Sequence, residues 1–137
     1  MENATFAIGF WGILAASAFC FVFAGAYFGA LIAKPYAIAM GRQDEAPGKP
    51  TALAIVGPFL CNVVMILTSA ALMRMAHIGS LAGAIGFGAL VGTGYMLAMC
   101  MMIAINPNFP RPFYYTAINA PFFLLNAPIA CAILYLL

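Results

Sequence analysis

The sequence predicts an all-α integral membrane protein, a four-transmembrane-helix bundle with short loops that forms one transmembrane domain over residues 1–137. Three observations carry that expectation. Apolar residues make up 66% of the chain, while Asp, Glu, Lys and Arg make up only 6%; soluble domains average about half and about a quarter. Four apolar stretches each exceed the roughly 20 helical residues needed to cross about 30 Å of hydrocarbon. Little chain remains outside them, so no extramembrane domain is expected.

Segment one runs from Phe6 to Ala33. As a continuous helix it would extend roughly 42 Å at 1.5 Å per residue, so it must tilt or project into the headgroups. Its start resembles a secretory signal, with Ala16-Ser17-Ala18 as a small-residue site, but Met1 to Thr5 holds no Lys or Arg and the apolar run continues past that site. A retained first helix is therefore expected. Lys34-Pro35 should stop it, because proline lacks a backbone donor and disfavours helical geometry in the preceding residue.

Residues 34–50 form the longest polar connection, with Lys34, Arg42 and Lys49, the acids Asp44 and Glu45, and the breakers Gly41, Pro47, Gly48 and Pro50. Within it, Tyr36 to Met40 is apolar enough to lie along the membrane surface. Segment two spans residues 51–73, with Pro58 near its start and Asn62 one turn later. Arg74 to His77 then make a short connection. Segment three, residues 79–105, is the richest in glycine and ends at Asn106-Pro107-Asn108-Phe109-Pro110-Arg111-Pro112. Segment four covers residues 113–137.

Basic residues in the connections number four on one side (Lys34, Arg42, Lys49, Arg111) and one, Arg74, on the other. That bias predicts a cytoplasmic 34–50 connection and both termini on the external face. Aromatic belts agree: Phe10 and Trp11 mark one interface, and Tyr36, Phe113, Tyr114 and Tyr115 the other.

Lipid is as apolar as leucine, so membrane helices associate through close packing and interhelical hydrogen bonds. Small residues spaced four apart are therefore candidate packing faces. Segment one carries Gly25 and Gly29. Segment three carries Gly79 and Gly83, with a longer row of Ser80, Ala84, Gly88 and Gly92 on one face. Contact between segments one and three within the monomer is the expected use, with pairing to another subunit as the alternative.

No Asp, Glu, Lys or Arg lies inside a span, which argues against a proton-driven antiporter. His77, the single histidine, has no carboxylate or thiol dyad beside it in sequence, and an interfacial loop residue is the expected role. The four cysteines, Cys20, Cys61, Cys100 and Cys131, fall one per segment without the close spacing of metal or redox sites. They are expected to act as isolated small apolar residues. No enzyme activity, cofactor or metal is expected. A net charge of +2 with no basic cluster excludes a nucleic-acid footprint.

The most specific internal pattern is Asn119-Ala120-Pro121 repeated as Asn126-Ala127-Pro128. Each proline removes a donor and releases the carbonyl four residues earlier, at Ala117 and Leu124. Asn62 beside Pro58 offers a similar pair. These amides are expected to bond across helices and satisfy the freed carbonyls; the sharper alternative is that Asn62, Asn119 and Asn126 line a path for a small polar solute.

Gly25-Ala26-Tyr27-Phe28-Gly29 followed by Lys34 and Gly41, with Arg111-Pro112 and Ile118-Asn119-Ala120, resembles domain-of-unknown-function family 1761 along nearly the whole chain. Ala26 stands where the family commonly has tryptophan, and Asn106 to Pro112 is more proline-rich than the family's turn. The resemblance implies a four-helix protein of the bacterial inner membrane and implies no activity. The leading expectation is a structural or accessory subunit. Its partners would be membrane lipid and other membrane helices, in a homo-oligomer or a larger complex. A channel or carrier for a small neutral or weakly polar solute is the alternative.

Overall fold

A computed structural model describes residues 9–45, 48 and 51–137. The expected start of segment one at residues 6–8, and Pro47, Lys49 and Pro50, lie outside the described residues. All regular structure among the described residues is helical. Four helices are long and apolar enough to cross a membrane: Phe10–Leu31, Ala52–Met75, Leu81–Ala104 and Pro112–Leu136. The protein is thus built as a multi-pass, all-helical membrane protein.

Helix α1 (Phe10–Ala26) continues as a π turn at Tyr27–Leu31. The 22 residues from Phe10 to Leu31 reach roughly 33 Å, close to the thickness of the hydrocarbon core. The break comes at Ile32 (φ −115°, ψ 14°), two residues before Lys34. Helix α2 (Ala33–Ala39) starts immediately, so Lys34-Pro35 does not stop a helix as expected. Pro35 sits in the first turn of α2, where its missing N–H has no intrahelical partner to lose. Gly41 (φ +70°) ends this piece, and a Cβ there would lie 3.1 Å from Pro110 Cγ, which brings the first and third connections together.

Helix α3 (Ala52–Met75) is capped by Thr51, whose hydroxyl accepts from Ala54 N at 3.2 Å. It runs past Arg74, which stands in its last turn where a cation complements the helix dipole. His77 closes it in the left-handed conformation (φ 50°). Its N–H donates to Arg74 O and that of Ile78 to Met73 O, the bond pattern of a Schellman C-cap. Helix α4 (Leu81–Val91) begins at Ser80, whose Oγ accepts from Gly83 N at 3.0 Å. It passes through a second π turn, Gly92–Leu97, into α5 (Ala98–Ala104). Helix α6 (Pro112–Leu136) starts on Pro112 and stays helical through Pro121 and Pro128.

Helix α6 is the centre of the arrangement. Helices α1 and α4, with the second π turn, pack along it; α5 and α2 meet its N-terminal half, and α3 packs chiefly on α1. The main core joins Ala16 and Cys20 of α1, Ile66, Ala70 and Met73 of α3, Ala84 of α4, and Ala130, Cys131 and Leu134 of α6. A second cluster of Tyr27, Ile32 and Phe122 is extended by Phe23, Phe28 and Tyr36. A Cβ on Gly9 would lie 2.7 Å from Leu137 O, so the start of α1 and the end of α6 share one end of the molecule.

Candidate functional site

Segment three packs chiefly on α6, not on segment one as its glycines had suggested. Its row lies against α6. A Cβ on Gly88 would stand 2.5 Å from Pro128 Cα and 2.6 Å from Ala127 O, and one on Gly92 would stand 2.6 Å from Phe123 O. The contact therefore falls on the second Asn-Ala-Pro triplet, where α6 offers the small Ala127 and a proline without N–H. Backbone meets backbone there, which only glycine permits. Ala84 is fully buried on the same row. A Cβ on Gly79 or Gly83 would meet only their own turn, near His77 O and Ser80 Oγ, though the Gly79 backbone oxygen accepts from Tyr135 Oη of α6 at 3.2 Å.

Gly25 and Gly29 behave differently. A Cβ on either meets nothing within 4 Å, and both residues are exposed. Two adjoining shallow concavities of about 390 and 450 Å³ run along α1 and its π turn between Ala18 and Leu31. Ala18, Val22, Ala26 and Ala30 lie along them, with Phe19, Phe23 and Tyr27 as an aromatic wall. They are apolar, and none of the three asparagines lines them.

Those asparagines are instead buried in helix interfaces. Asn62 Nδ2 of α3 donates to Ser17 O of α1 at 3.2 Å. Asn119 Nδ2 donates to Tyr115 O at 2.7 Å, inside its own helix. It thus does not reach the Ala117 carbonyl that Pro121 frees, because a helical side chain leans back toward the carbonyl one turn earlier. Thr116 does the same, its hydroxyl donating to Pro112 O at 2.9 Å. The Asn126 side chain lies beside the Cys20 thiol of α1, and its Oδ1 is buried without a hydrogen-bond partner among the described residues. Pro121 is exposed, Pro128 is half-buried under α4, and Pro58 faces outward on α3.

Sequence reasoning missed Ser17, Cys20 and Tyr27 as members of these contacts. Ser17 entered it only as part of a cleavage-site look-alike, though a lone serine inside an apolar run is itself a signal. Tyr27 Oη donates to Ile118 O at 2.8 Å across the α1–α6 interface. Cys20 and Cys131, expected to be isolated, share one core cluster, whereas Cys61 is exposed. Among the described residues, no three His, Cys, Asp or Glu side chains assemble into a metal site.

Comparison with known families gives one match: the profile described as a protein of unknown function (DUF1761) covers residues 11–135. The resemblance carried by Gly25 to Gly29, Arg111-Pro112 and Ile118-Asn119-Ala120 is thereby established. No curated protein and no solved structure matches the chain.

Proposed function

The chain belongs to the DUF1761 family, and we propose that it is an accessory membrane subunit that binds other membrane helices, as further copies of itself or as part of a larger complex. One observation carries this reading: Gly88 and Gly92 are covered by α6, whereas among the described residues nothing comes within 4 Å of a Cβ on Gly25 or Gly29 of α1. In lipid, a groove flanked by small residues is where a neighbouring helix can approach closely enough to gain packing contacts that lipid chains give less well. The bacterial inner membrane is the proposed location. The end bearing Lys34, Arg42 and Arg111 faces the cytoplasm, which leaves the Gly9 and Leu137 end on the periplasmic side.

Replacing Gly25 and Gly29 together with Leu tests this. Both positions have open space, so helical content and unfolding should be unchanged, while association in mild detergent is lost. A wild-type protein that purifies from native membrane as a monodisperse monomer, with no companion, would sink the proposal.

The second reading, a channel or carrier for a small neutral or weakly polar solute, is supported by buried oxygens at Asn126 and Ser17 near the middle of their spans. Flux into liposomes over a panel of such solutes tests it. Leakage that is independent of the protein counts against it.

A further inference from the structure

The junction of α1, α3 and α6 gathers polar groups deep in the protein. Ser17 and Cys20 lie three residues apart and so on one face of α1. The Asn62 amide reaches the Ser17 carbonyl oxygen from α3, and Asn126 reaches the Cys20 thiol from α6. Four polar side chains from three helices thus converge within about one turn of α1, near the middle of the spans. Ser17 and Asn126 are only 6% and 4% exposed. Yet Ser17 Oγ and Asn126 Oδ1 meet no hydrogen-bond partner among the described residues. Exchanging the Asn126 oxygen and nitrogen would only leave an unmet donor in its place.

A buried polar atom left unsatisfied costs about 1–3 kcal/mol, and hydrocarbon offers it no remedy. The occupant must be small and must donate hydrogen bonds to two oxygens. It must also be neutral, because Arg74, the one Asp, Glu, Lys or Arg in the four spans, stands in the last turn of α3, too far along that helix from Asn62 to balance a charge there. We propose that the α1–α3–α6 junction is a hydration site in the middle of the membrane, where bound water donates to Asn126 Oδ1 and Ser17 Oγ beside the Cys20 thiol. This is independent of what covers the outer flank of α1.

The Cys20 S–H stretch, seen by infrared spectroscopy in a stretch free of other protein bands, reports on it directly. A variant carrying Cys61→Ala, Cys100→Ala and Cys131→Ala leaves Cys20 as the sole thiol. On transfer of its proteoliposomes to D2O, the thiol should exchange to S–D while the backbone amides of the spans remain protected. Adding Ser17→Ala and Asn126→Leu should abolish that fast exchange, so that the thiol persists as long as the amides. Amide protection, read on the same samples, shows that each variant is folded. Where the double change disrupts it, Ser17→Ala alone should still slow the thiol. A Cys20 thiol that stays S–H as long as the amides in the sole-thiol protein overturns the proposal, as does exchange equally fast without the two oxygens.

Discussion

Tyr27 Oη donates to the backbone oxygen of Ile118 at 2.8 Å, tying the π turn that extends α1 to the N-terminal half of α6. The tyrosine ring also packs on Phe122, 5.5 Å between centroids, so the hydroxyl works from an already fixed ring. Tyr27→Phe keeps the ring and removes the hydrogen bond alone. It should lower stability by about 0.5–1.5 kcal/mol, read from reversible unfolding in bicelles with no change in helical content.

Gly88→Ala and Gly92→Ala should each cost about 1–3 kcal/mol, because the new methyl group would overlap backbone atoms of Pro128, Ala127 or Phe123 that cannot give way locally. Gly86 and Gly94 lie on the same span with nothing within 4 Å of a Cβ. Alanine there should be neutral or slightly stabilising. The four variants, measured side by side for thermal unfolding in one detergent, separate close packing from glycine's effect on helix propensity.

Two of the buried amides should differ. Asn62→Leu removes a bond between α3 and α1 and should destabilise by about 0.5–2 kcal/mol. Asn119→Leu removes a bond within α6 only, to Tyr115 O, and should cost less. A double change of Asn62→Leu with Ser17→Ala measures their coupling. The expected value is near zero, since the amide contacts the Ser17 backbone rather than its hydroxyl.

His77→Gly should stabilise the protein by about 0.5–1 kcal/mol, because a left-handed backbone strains any residue with a Cβ. His77→Ala keeps that strain and should leave stability near wild type. Denaturation curves of the two variants, compared under one condition, distinguish a backbone role for His77 from one played by its imidazole.

Cysteines introduced one at a time at Asp44 and Asn108 in a cysteine-free background should be labelled by a membrane-impermeant maleimide from the same face, since Gly41 and Pro110 bring their connections together. A cysteine at His77 should be labelled from the opposite face. Intact cells protecting the first two and exposing the third would agree with a cytoplasmic 34–50 connection; the reverse pattern would invert the proposed orientation.

The sequence by itself determined the four spans and the polar ends between them, because apolar length and charge scarcity act on each segment alone, whatever its neighbours. It also marked the residues of the interfaces: the α4 glycine row, the Asn-Ala-Pro triplets and Asn62 all stand out against an apolar background. It did not determine which face meets which. Small-residue rows look alike on α1 and α4, and only the tertiary structure shows that Gly88 and Gly92 touch α6 while a Cβ on Gly25 or Gly29 would meet none of the described residues. The partner of each asparagine was equally hidden, since an amide can reach its own helix one turn back, as Asn119 does, or a neighbour, as Asn62 does. Nor did any periodic signal mark the two π turns. Inside a membrane almost every residue is apolar, so the contrast between core and surface that orients the helices of a soluble protein is missing, and steric fit decides the arrangement.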